Sequence, residues 1–97
     1  MKITKKAQQY MQEQAKQYEN PALVVFERVY RGWCGTEVIN TVVLAEKKQI
    51  GDVNAFEEKK MENLEFPLYL DKKLISMWDT TKVDLVGWSS FKRLALV

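Results

Sequence analysis

The sequence predicts an α+β domain, mostly β, with antiparallel sheets forming a small barrel-like sandwich, an N-terminal helix and one short helix later in the chain. Three observations carry this. Apolar residues recur at helical spacing only near the start, at Ala7, Tyr10, Met11, Ala15 and Tyr18. Two stretches dense in Val, Leu, Ile and Phe, residues 22–30 and 37–45, then bracket a turn that contains glycine. A period of two returns at Phe66, Leu68 and Leu70, directly before an aspartate.

Taken in order, residues 4–18 form the helix, with Thr4 as its cap and Asn20-Pro21 as its stop. Its other face is rich in Gln and Lys, as expected of a helix docked on a sheet through one narrow stripe. The strands over 22–30 and 37–45 are joined by Arg31-Gly32-Trp33-Cys34-Gly35-Thr36, whose glycines supply the positive φ that a tight connection needs, which places Cys34 near a hairpin tip. Residues 46–65 are charged and sparsely apolar (Ile50, Val53, Phe56, Met61), a long connection holding one edge strand. Phe66 to Leu70 form a short strand whose Pro67 favours a sheet edge or a strand start. Asp71 caps a short helix that packs Leu74, Ile75, Met77 and Trp78 inward, and Asp79-Thr80-Thr81 turns the chain. Residues 83–88 and 91–97 close the fold as two strands around Ser89-Ser90.

Length and composition limit the function. Residues 1–97 are one domain, since domains usually run about 100 to 150 residues. A 46% hydrophobic and 29% charged composition is that of an ordinary globular chain. With one cysteine there is no intramolecular disulfide, and without histidine there is no Ser-His-Asp or Cys-His nucleophile and no imidazole-ligated catalytic zinc. P-loop, dinucleotide-turn and CxxC motifs are absent too, so a non-enzymatic protein is expected. A net charge of +2 is far from the basic balance of a nucleic-acid binder. No apolar run approaches the ~20 residues that span a bilayer, and the Lys-bearing N-terminus leads into glutamines instead of an apolar signal core. The expected setting is the cytoplasm, with no nucleic-acid or membrane partner and Cys34 kept reduced.

The order of motifs resembles the HesB/IscA-like family of iron–sulfur cluster biogenesis proteins, and the likeness spans almost the whole chain. Ile3-Thr4 opens the helix. Gly32-Trp33-Cys34-Gly35 stands where that family has a Gly-Gly-Cys-Ser-Gly loop, and residues 68–74 stand where it has a Val-Asp-Pro-Lys-type step from strand to helix. Lys82-Val83-Asp84-Leu85-Val86 resembles its Ile-Asp-Tyr-Val strand and Ser90-Phe91-Lys92 its Gly-Phe-Lys. The resemblance implies iron–sulfur biosynthesis or iron handling, iron or a weakly held cluster as cofactor with Cys34 as the only thiolate, and as partners a second copy of the chain and iron–sulfur donor or acceptor proteins. One departure is large. Cluster-bearing members add a Cys-Gly-Cys near the C-terminus, whereas Leu94-Ala95-Leu96-Val97 has no thiol. A [2Fe–2S] cluster takes four protein ligands, so one Cys34 per protomer supplies half the set in a two-fold dimer, and glutathione or carboxylates would have to complete it.

Each candidate residue also has a plainer reading. Cys34 is either a small buried hydrophobe or an exposed thiolate activated by turn amides and by Arg31 and, more distantly, Arg28. Trp33 either shields a metal or contacts a partner, together with Arg31, Gly32 and Gly35, or it folds back onto the sheet. Arg28, Tyr30, Arg31 and Trp33 read as a solvated strand face before they read as a single-strand nucleic-acid surface. Glu57-Glu58-Lys59-Lys60 reads as an exposed charge run with local pairing, Asp71 as a helix cap and Asp84 as a strand-end contact. Redox chemistry at Cys34 lacks a resolving cysteine. The competing class is an interaction module on the same scaffold that has lost metal binding.

Overall fold

A computed structural model describes residues 1–97. The chain runs β1 (Lys2–Ile3), α1 (Lys5–Ala15), β2 (Pro21–Gly32), β3 (Gly35–Glu46), β4 (Phe56–Lys59), β5 (Leu68–Asp71), β6 (Lys82–Val86) and β7 (Arg93–Leu96), with short 3₁₀ turns between the later strands. It is the α+β, mostly β, fold that the sequence predicts. The strands form two sheets, β1-β6-β7 and β3-β2-β5-β4, which do not close into a barrel. Hairpin pairs β2–β3, β4–β5 and β6–β7 are antiparallel, but β1–β6 and β2–β5 are parallel.

The parallel placement of β5 explains the unbroken apolar run of β2. Leu23, Val24 and Val25 pair with Leu68, Tyr69 and Leu70. These two strands are central and covered on both faces, so neither shows a polar side. On one face Leu23, Val25, Leu68 and Leu70 join Ala7 and Met11 of α1, Val42 of β3, Leu74 and Val83 of β6. On the other, Ala22, Val24 and Tyr69 pack with Ile50, supplied by the connection after β3. Pro67 stands just before β5, where it breaks no ladder, and its carbonyl accepts from Leu23 N–H at 3.0 Å.

Helix α1 starts as expected. The Thr4 hydroxyl accepts from Ala7 N–H at 3.2 Å and donates to Asp84 Oδ1 at 2.8 Å, tying the helix to β6. The turn from α1 into β2 is held by Glu46, which is 8% exposed and accepts from Glu19 N–H at 3.0 Å and Asn20 N–H at 2.8 Å. Asp71 caps the 3₁₀ helix Lys72–Met77 through Lys73 N–H at 3.0 Å.

Two expectations are corrected. Ile75 does not pack inward but is 44% exposed, because the three-residue repeat of a 3₁₀ helix aligns Leu74 with Met77 and rotates Ile75 away. Met77 and Trp78 are only half-buried, at the rim of the core. The closing strands are also shorter than residues 83–88 and 91–97. Gly87 and Ser89 take positive φ, and Trp88 and Phe91 leave the sheet at 74% and 72% exposure, edge to face at 6.0 Å.

Candidate functional site

The hairpin β2–β3 extends well beyond the body of its sheet. β5 pairs with β2 only over Leu23, Val24 and Val25, so past Phe26 β2 has no ladder partner but β3, and the base of the arm meets the rest of the chain through side chains such as Asn40, whose Nδ2 donates to Met77 Sδ at 3.5 Å. Every residue from 28 to 40 is exposed. At the end of this arm Gly32 pairs with Gly35, leaving Trp33-Cys34 as a two-residue tip, and Gly35 takes φ +122 to close it.

All five tip residues of the sequence reading are brought together here. Cys34 is free and exposed, which removes its reading as a buried hydrophobe. Trp33 is fully exposed and does not fold back onto the sheet. Arg31, Gly32 and Gly35 flank them in solvent. Arg28 points elsewhere: its guanidinium lies 5.6 Å above the Phe26 ring and donates to Tyr30 Oη at 3.3 Å, because residues two apart share a strand face. Its guanidinium is therefore held against Phe26 and Tyr30 and not against the thiol.

The remaining candidates take structural contacts. Glu57 pairs with Lys59 at 2.7 Å on one face of β4, and Glu58, on the other, accepts from Tyr69 Oη at 3.1 Å. Lys59 also lies 5.1 Å over the Trp78 ring. Asp84 accepts from Thr4 and from Leu85 N–H, which hold its carboxyl below the ordinary value. No three His, Cys, Asp or Glu side chains converge as metal ligands anywhere in the structure. One exposed thiol that belongs to no such group does not fit a cluster held by this chain alone. No helix is long and apolar enough to cross a membrane.

A second feature has no counterpart in the sequence reading. Between β3 and β7 lies a cavity of about 590 Å³, lined among others by Tyr10, Tyr18, Tyr30, Arg28, Lys92 and Arg93. Its residues come from four elements and from the turns after α1 and before β7, and no local pattern unites them. The partial exposure of Tyr10 in α1 and of Tyr18 just after it, on the stripe that carries the buried Ala7 and Met11, is its one local trace.

The fold and this arm define a small α+β protein with a projecting, aromatic-tipped hairpin. Comparison with protein-family models finds no match, and comparison with curated proteins finds none.

Proposed function

We propose that this chain is a non-enzymatic, divergent HesB/IscA-like protein whose β2–β3 arm meets a protein partner, within iron–sulfur cluster biosynthesis or iron handling. The observation that carries the reading is Trp33, fully in solvent at the end of an arm whose residues 28–40 are all exposed. A two-stranded ribbon is marginal without a surface to pack on. Val29, Tyr30, Val38 and Ile39 are each roughly half exposed along it, and covering them removes apolar area worth about 25 cal/mol per Å². Tryptophan is the side chain most enriched where such contacts concentrate binding energy. The order of helix, long hairpin, strand, Asp-led turn and closing hairpin supports the scaffold half of the reading.

A second reading is favoured by the exposure of Cys34: the thiol serves as one ligand of an iron or cluster in transit. Two copies bring two thiolates, so external thiols or a donor or acceptor protein would supply the rest. Anaerobic reconstitution with iron and sulfide separates the two readings. Cluster absorbance on the wild type that vanishes in Cys34→Ala selects the thiolate; no absorbance on either protein, both folded and monodisperse, leaves partner contact alone. For the contact itself, a photoactivatable cross-linker attached to Cys34 is expected to give one discrete adduct in a cell extract. That adduct should be lost in Trp33→Ala and kept in Trp88→Ala. Failure to form it, or equal loss in both variants, would count against the arm.

A further inference from the structure

The seam between the two sheets presents two open strand edges and charge of one sign. β3 is the outer strand of one sheet and β7 of the other; they lie side by side but share no ladder. The cavity between them is lined by residues 39–44 of β3 and by residues 92–96 at β7, every position in each stretch. Successive side chains of a strand point to opposite faces. A lining of consecutive residues therefore takes in backbone as well as side-chain atoms, and the backbone of an outer strand is open along its edge. On that edge alternate N–H and C=O groups of β3 face away from β2, its only ladder partner, and the same holds for β7 against β6. Arg28, Lys92 and Arg93 place three cations on the lining, and no Asp or Glu is part of it.

We propose that this seam docks an extended, acidic peptide segment of a partner protein, added along the β3 edge. An edge strand is a template for a further strand, with main-chain hydrogen bonds giving affinity and alternate side chains giving selectivity. Residues 39–44 offer about 17 Å of edge at the ~3.3 Å rise of a strand, enough for a segment of similar length. The segment's carboxylates meet Arg28, Lys92 and Arg93, and its apolar positions meet Ile39 and the rings of Tyr10, Tyr18 and Tyr30. Trp33 and Cys34 take no part, so this site and the arm tip can fail separately.

The test uses the whole chain and a fluorescein-labelled octapeptide alternating Glu and Val, with a Lys and Val counterpart as control, read by anisotropy and by amide hydrogen exchange. Saturable binding of the acidic peptide is expected, with new protection at amides of residues 39–44 and no binding of the basic peptide. Lys92→Glu with Arg93→Glu, both exposed, should weaken binding roughly tenfold or more. Trp33→Ala should leave it unchanged. Lys92→Gln serves if the double variant does not fold. Absence of saturable binding, equal binding of the two peptides, or protection confined to other strands would overturn the proposal. So would full displacement by citrate at matched ionic strength, which would mark a small-anion site. Concentration-dependent dimerisation that protects residues 39–44 without peptide would assign the seam to a second copy instead.

Discussion

Thr4 serves two elements with one hydroxyl, accepting from the first turn of α1 and donating to Asp84 in β6. Losing the cap in Thr4→Val should cost about 1 kcal/mol at neutral pH. The Asp84 contact adds a pH signature. Donation by Thr4, and next by the Leu85 N–H, favours the carboxylate and lowers its pKa from the ordinary 3.8. A depressed folded-state pKa contributes stability at pH above the unfolded value and loses it as pH falls through the folded one. Wild type should therefore lose more stability than Thr4→Val between neutral pH and about pH 3, so that the gap between them narrows in acid. Urea titrations at the two pH values measure this, and a constant gap would show that the two groups are not coupled.

At the scale of elements, two turns rest on glycine for different reasons. Gly35 takes φ +122 at the arm tip, with open space where a Cβ would stand. Gly87 takes φ +88 and faces the Phe91 carbonyl, which a Cβ would strike. Backbone strain alone should cost Gly35→Ala about 1 kcal/mol, whereas Gly87→Ala adds a clash with main chain that cannot move cheaply, about 2–3 kcal/mol in all. Chemical denaturation of the two variants gives the order. A Gly35→Ala protein less stable than Gly87→Ala would mean that the arm is held more tightly than its exposure implies.

For the whole molecule, cohesion passes through α1. Ala7 and Met11 are fully buried between residues of both sheets, with Leu23, Val25, Leu68 and Leu70 on one side and Val83 on the other. Removing the Met11 side chain should cost about 2–5 kcal/mol, against about 5–15 kcal/mol in total for a domain. Met11→Ala is therefore expected to lower the melting temperature sharply while far-ultraviolet circular dichroism and tryptophan fluorescence still fall in one coincident transition. Separate transitions would show that the two sheets unfold independently.

Local sequence was enough for the elements and for placing Cys34 at a hairpin tip, but it left the exposure of that tip open. Helical spacing, a Thr cap, two β-rich runs and a glycine-flanked pair of residues are local signals, whereas the burial of a thiol at a turn depends on what packs over the turn. The inward face of the short helix misled at Ile75 because α-helical and 3₁₀ spacing share the same residues and differ only in repeat. Trp33 stayed open between a partner contact and folding back onto the sheet, because local sequence does not say that the arm outruns its sheet. Which strands lie side by side was settled by long-range packing. The parallel docking of β5 against β2 and the meeting of β3 with β7 join segments far apart in sequence, and such pairings follow from which buried faces fit once the chain has collapsed. The acid-free seam of Arg28, Lys92 and Arg93 exists for that reason alone.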